Sequence, residues 1–339
     1  MVRYALWIRR HFEQTVDGAE ALVRGFDEMP EVQQVLDTHL NPDQEPSLVI
    51  RSIYGRWFPW LILLDPNWAT QNVAKIFPQD ETSSDLRIAA WESYITFCPL
   101  YNNVFEVMHE EYSYAVERID ATESEKRTLR DPDHYLAQHL MTLYWRGKLS
   151  IEQPNSLLAR FFELAPDELR CDSLEFIGRS LRNTNEEIEP QILNQLQLLW
   201  EQRLDTARTA TSPISHASEL AAFGWWFVSG KFDDSWAIAQ LKEVLELVGK
   251  VELERLVVKR LATLADAIPA TAVEFLRLLL EGDNGTWRIY GWRNEARTIL
   301  TTALQGSNDQ TRQIAIALIN RLGEQGYLEF RELLSLGQK

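Results

Sequence analysis

KFDDSWAIAQLKEVLELVGK, residues 231–250, carries a complete helix signal. Ile238, Leu241, Leu245 and Val248 fall at i, i+3, i+7 and i+10, one stripe of a helix with 3.6 residues per turn. Asp233 and Asp234 stand where an N-cap is wanted, and Gly249 follows the last apolar residue as a stop. Start, face and stop agree, so the stretch predicts a helix over 232–248.

The same logic continues downstream. Leu253, Leu256, Val257, Leu261 and Leu264 share a face, and Pro269 opens a further helix at its tolerated first turn. In 269–281 the apolar residues cover most of the circumference, which predicts a helix packed between neighbours. Ala296, Ile299, Leu300, Ala303 and Leu304 form another stripe. Asn308 or Ser307 caps a helix carrying Ile314, Leu318 and Leu322, and a short last helix holds Tyr327, Leu328, Phe330, Leu333 and Leu334. Hairpins therefore begin near 232, 269 and 308, at offsets of 37 and 39 residues. That is close to the roughly 40 to 47 of two-helix HEAT or armadillo repeats.

Upstream, helices are predicted at about 131–146, 155–164, 167–183, 187–207 and 215–229, and at 83–97. Near the start, Tyr4, Trp7, Ile8, Phe12 and Val16 make one apolar stripe. No segment alternates in the manner of a strand. The sequence thus predicts an all-α chain: an N-terminal helical unit over 1–130 and, over 131–339, an irregular α-solenoid of stacked helical hairpins (HEAT/armadillo-like). NPDQEPS (41–47) and DATESEKRTLRDPD (120–133) are the connecting segments, the second being the expected division.

Composition narrows the function. Apolar residues make up 45% of the 339, enough for a sizeable core. The net charge of −16 opposes general affinity for nucleic-acid backbones or anionic membranes. Residues 1–170 carry 16 basic and 27 acidic side chains against 18 and 23 in the remainder, so an anion-binding surface is expected in the second half. The longest apolar run, Trp57–Leu64, contains Pro59 and falls far short of the roughly 20 residues needed to span a bilayer. The N-terminus lacks the pattern of a signal peptide, and two cysteines do not make a disulfide framework. A soluble, cytoplasmic protein is expected.

Catalytic patterns fail one by one. Gly147-Lys148, Gly230-Lys231 and Gly249-Lys250 lack phosphate-loop spacing and the following Ser or Thr, and read as helix C-caps. His109-Glu110-Glu111 begins like a zinc-protease helix, but Ser113 stands where its second histidine belongs. His134 and His139 lie five apart and point roughly 140° away from each other. Pairing Cys98 with His109, or Cys171 with His216, has no local signature, and both cysteines read as core thiols. No catalytic, cofactor-binding or metal residue is assigned from sequence.

Aromatic content is the feature that stands out, with 12 tryptophans. Trp57, Phe58 and Trp60, and Trp225, Trp226 and Phe227, read as filling between irregular hairpins. In the third cluster Trp287, Tyr290 and Trp292 alternate with Arg288 and Arg293, with Arg297 one turn on, beside the Gly-rich EGDNGTWRIYG (281–291). Two readings stand: a loop between helices of one repeat, stapled onto the array by its own aromatics, or, since Trp, Tyr and Arg dominate binding hot spots, a surface in which these six are the candidate partner-binding residues.

The phrases FGWWFVSGKFDDSWAIAQL (223–241), WRNEARTILTTAL (292–304) and ALINRLGEQGYLEFRELL (317–334) resemble the C-terminal helical-repeat regions of large bacterial NTPase-type or sirtuin-associated antiphage defence proteins. The resemblance implies a HEAT- or tetratricopeptide-like sensor or scaffold arm that recognises a protein, with enzymatic domains elsewhere. This chain carries no NTPase, nuclease or sirtuin segment, which makes it a fragment or a free-standing relative. The function expected is non-catalytic recognition of a protein partner. The alternatives are a helical enzyme with a pocket between the two halves, or nucleic-acid binding through Trp287 to Arg297.

Overall fold

The computed structural model describes residues 1–15, 18–119, 132–153, 155–281 and 289–335. They form α-helices and short 3-10 turns, with no strand among the described residues. The chain divides into two compact units, Met1–Ala165 and Pro166–Lys339.

In the first unit the helices are α1 (Val2–Glu13), α2 (Gly18–Arg24), α3 (Pro30–Leu40), α4 (Leu48–Leu64), α5 (Pro66–Ile76), α6 (Ser84–Phe97), α7 (Asn102–Glu117), α8 (Pro132–Trp145) and α9 (Leu157–Leu164). Local chemistry sets several starts. Ser47 Oγ accepts the Ile50 N–H at 3.4 Å, Asp65 Oδ1 accepts that of Trp68 at 2.8 Å, and Pro30 and Pro66 open their helices. Asp65 works twice, since its Oδ2 also accepts the Phe26 N–H at 3.0 Å.

α4 is the spine of this unit and makes its most extensive pairing with α6. Gly55 permits it: a Cβ there would lie 1.9 Å from the Ala90 carbonyl oxygen, so the two backbones meet without a side chain between them. Pro59, inside α4, has no N–H to offer the Gly55 carbonyl. The Cys98 thiol sits over that gap, 3.1 Å from the Arg56 carbonyl oxygen and 3.9 Å from that of Gly55. Arg51, 1% exposed, donates to the carbonyls of Leu40 and Lys75, tying the C-terminal ends of α3 and α5 to α4.

The expected division near 130 differs from this partition. Segment 120–131 lies outside the described residues, and α8 beyond it belongs to the first unit, packed on α6 and α7. A polar contact joins them: His139 of α8 and Tyr112 of α7 are 2.7 Å apart. A charge-rich segment thus signals a connection, which need not be a boundary.

The second unit holds α10 (Asp167–Asn183), α11 (Pro190–Thr209), α12 (Ala217–Ala221), α13 (Phe223–Ser229), α14 (Asp234–Val248), α15 (Glu254–Leu264), α16 (Pro269–Leu279), α17 (Arg293–Gln305) and α18 (Asp309–Glu324), then a 3-10 segment, Leu328–Ser335. Asp233 Oδ1 caps α14 at 2.9 Å and Asn308 Oδ1 caps α18 at 3.1 Å, as their positions predict. Gly147, Gly230 and Gly249 all follow helix ends with φ of 66°, 69° and 69°, the left-handed caps inferred for the three Gly-Lys pairs. α16 packs on α14, α15, α17 and α18, which gives it the surrounded position expected from its apolar circumference.

Two helices differ from the sequence reading. The continuous helix expected over 215–229 breaks at Ala222, because the Glu252 N–H takes the Ala221 carbonyl at 2.9 Å and the Trp225 N–H bonds the Ala222 carbonyl instead. The last helix is 3-10 rather than α. Of the Trp225-Trp226-Phe227 cluster, Trp226 and Phe227 fill the core and Trp225 is half-buried: Trp226 Nε1–H donates to the Leu174 carbonyl at 2.8 Å, and Trp200 stacks on Phe223 with centroids 4.6 Å apart.

Candidate functional site

Of the six residues singled out by sequence, Trp287 and Arg288 lie outside the described residues. Tyr290 is 59% exposed, whereas Trp292 is 2% exposed and its indole N–H donates to Glu254 Oε1 at 2.9 Å. Trp292 therefore seats the start of α17 on α15 and turns no ring face outward. Arg293 lies 3.9 Å from the Tyr290 ring centroid and 3.6 Å from Glu329; Arg297 donates to the Glu329 carbonyl at 2.8 Å. These two guanidinium groups bind the 3-10 segment to α17.

Sequence reading missed a larger exposed surface in the first unit. On α4, Val49, Ile53, Arg56, Trp60 and Leu63 recur at helical spacing and all face solvent, Val49 at 70%. On α1, Arg3, Tyr4, Trp7, Arg10 and His11 form a second outward stripe, with Trp7 66% exposed and stacked on Tyr4 at 6.4 Å. The apolar stripe read over Tyr4 to Val16 is half open: Ala5 is the buried residue of α1, and Val16 lies outside the described residues. Arg9 Nη1 donates to the Leu63 carbonyl at 2.9 Å and Arg3 sits over Trp57 at 5.9 Å, so α1 runs in the same direction as α4 beside its second half.

Where α1 begins, a cavity of about 400 Å³ opens between it, α3 and α4, floored by Leu36, Tyr54 and Leu61. Neither outward stripe holds an acidic residue, and Arg3, Arg10 and Arg56 punctuate both. In a chain of net charge −16 this is a local reversal, on the half where the charge count pointed away from it. The run Trp57–Leu64 resolves by face: Phe58, Leu61, Ile62 and Leu64 are core, while Trp60 and Leu63 belong to the open stripe.

No protein-family model, curated protein or solved structure matches this chain. Function is therefore argued from the geometry of its side chains. No helix among the described residues is long and apolar enough to cross a membrane.

The histidines and cysteines have other partners than those considered in sequence. His139 is buried, its Nδ1 2.7 Å from the Tyr112 hydroxyl, which is itself 3.0 Å from that of Tyr94. Burial drives His139 down to about 4, outweighing its hydrogen bond to the Cys98 backbone. The folded state therefore holds the neutral ring, and protons bind the unfolded chain preferentially between its ordinary 6.5 and about 4. Stability contributed by this neutral site is present above pH 6.5 and is lost as pH falls through that window, by about 3 kcal/mol. We expect thermal melts of the first unit to shift downward over pH 6.5 to 4, and the slope to flatten in His139→Gln. An unchanged slope in that variant would assign the effect elsewhere.

His216 Nδ1 lies 3.0 Å from Glu219 Oε2, which also receives Arg170 Nε–H at 2.6 Å; Arg203 donates to Glu219 Oε1. Cys171 Sγ faces Glu252 Oε1 at 3.6 Å, with Glu175 beside them. Among the described residues, this is the group of thiol and carboxylates close enough to share a metal ion.

Proposed function

We propose that the chain is a non-catalytic helical-repeat module that holds an amphipathic, acidic helix of a protein partner on the outward face of α1 and α4. The observation that carries this is the exposed apolar face itself. Contiguous exposed aromatic and aliphatic side chains on a folded protein mark an interaction site, and such stripes complement the i, i+3, i+4, i+7 face of a helix. Arg3, Arg10 and Arg56 select the acidic partner by charge. In the second unit, contacts of α14 with α16, of α15 with α17 and of α16 with both α17 and α18 support the finer reading of stacked hairpins in an irregular HEAT-like array. The resemblance of 223–241, 292–304 and 317–334 to sensor arms of antiphage defence proteins fits the same recognition role in the cytoplasm.

The test is selection from a library of displayed peptides long enough for several helical turns. Enriched peptides should combine apolar residues at helical spacing with Asp or Glu and bind less tightly as salt rises. Trp7→Ser with Trp60→Ser changes exposed side chains, leaves folding intact and weakens binding by at least about 30-fold, the loss of one aromatic hot spot. Three outcomes overturn the proposal: no enrichment, enrichment indifferent to the double variant, or capture by anionic vesicles where no peptide binds.

A further inference from the structure

Cys171 and Glu175 stand four apart on α10, which places them on one face a turn apart. Glu252 reaches them from the connection between α14 and α15, and the sulfur and one oxygen of each carboxylate lie within 4.8 Å of one another. The Cys171 thiol donates to Glu252 Oε1 at 3.6 Å, a spacing that a tetrahedral metal would also accept once the proton is lost. A Zn–S bond of about 2.3 Å and a Zn–O bond of about 2.1 Å at the tetrahedral angle set sulfur and oxygen about 3.6 Å apart.

Glu252 is also held in place by the groups around it. Its N–H donates to the Ala221 carbonyl at 2.9 Å, and the Trp225 indole N–H donates to Oε2 at 2.8 Å, leaving Oε1 turned toward the thiol. An outer hydrogen bond that fixes one oxygen and frees the other is how proteins orient a ligating carboxylate. Trp225 is in turn held by the Arg179 and Arg182 guanidinium groups, 4.9 and 5.9 Å from its ring centroid. Cys171 is buried and the two glutamates are half-buried, so the group is closed on the sulfur side and open on the oxygen side.

We propose that Cys171, Glu175 and Glu252 bind one thiophilic divalent cation, Zn²⁺ by donor set and spacing, with the fourth position open to water or a further ligand. Hard cations such as Ca²⁺ and Mg²⁺ favour all-oxygen shells, and the thiolate selects against them. Binding displaces the thiol proton, with no change of oxidation state.

The test uses the full chain, reduced and stripped of metal, titrated with Zn²⁺ against a chromophoric chelator in weakly buffered solution at pH 7. One equivalent should bind with release of the thiol proton, and Co²⁺ in its place should give a thiolate-to-metal charge-transfer band. Cys171→Ser should weaken Zn²⁺ binding by at least about 100-fold, and Trp225→Phe, which keeps an aromatic side chain but removes the indole N–H, by about 10-fold. Wild-type affinity in Cys171→Ser, or a Co²⁺ complex without the charge-transfer band, would overturn the site. Should Cys171→Ser fail to fold, the Co²⁺ spectrum and the Trp225→Phe titration decide it.

Discussion

Replacing Glu219 by Gln is expected to destabilise the second unit by about 3–5 kcal/mol, measured by urea unfolding followed through amide exchange in α10 to α12. Glu219 is fully buried between Arg170 and Arg203, which are 8% and 5% exposed. Its Oε2 accepts from Arg170 and faces His216, while Arg203 occupies Oε1. Burial alone would raise this carboxyl; hydrogen bonds from His216 and Arg203, with the Arg203 and Arg170 charges, hold it at about 2 instead. Glutamine keeps the shape but removes the charge, and its NH₂ meets guanidinium N–H groups donor to donor. Two buried guanidinium groups then lose the carboxylate they share, although Asp167 still stands 3.6 Å from Arg170. In the wild type, the carboxylate's contribution is present above the unfolded value near 4.5 and is lost as pH falls toward 2.

Two controls separate this from general sensitivity. Glu243→Gln removes one of the two carboxylate partners of the exposed Arg208, the other being Asp205, and should cost no more than about 1 kcal/mol. Converting Arg170, Glu219 and Arg203 together to Met, Leu and Met should be far milder than Glu219→Gln alone, since packed apolar groups carry no unpaired charge. A triple variant as unstable as the single one would show that the cluster is needed for a reason other than charge compensation.

The helices were legible where their signals are local. Asp233, Gly249 and Asn308 announce ends within a few residues of the apolar stripe they bound, and the structure uses all three as caps. The break at Ala222 was hidden because it depends on a backbone N–H from Glu252, thirty residues downstream. Periodicity groups Tyr4 and Trp7 on one face, yet says nothing of whether another helix covers that face, so an open stripe and a core stripe read alike. Trp292 could be read as a partner-binding aromatic or as a staple for its own loop, and its burial fits the staple. Half of the candidate metal site was visible as Cys171 and Glu175 at helical spacing; Glu252 joins them only through the fold. Arg170, Arg203 and Glu219 are likewise scattered charges in sequence, and their burial together follows from how α10, α11 and α12 pack.

Gly55→Val is expected to destabilise the first unit by at least about 3 kcal/mol, or to abolish its folding, as read by circular dichroism and denaturant midpoint. In LVIRSIYGRWFPW (48–60) the glycine reads as a mid-helix defect that alanine would improve by about 1 kcal/mol. The packing reverses that sign. A Cβ at residue 55 falls 1.9 Å from the Ala90 oxygen and 2.6 Å from its carbonyl carbon, and a helix backbone cannot turn aside as a flexible side chain would. α4 and α6 must separate, opening a gap among Tyr94, Ile95 and Cys98, all buried beside this contact. Gly55→Ala should therefore also destabilise, though less than Val. Ala90→Gly should not rescue either variant, because the obstructing atoms are main-chain. Stabilisation by Gly55→Ala, the result helix propensity alone predicts, would mean that α4 and α6 do not approach this closely.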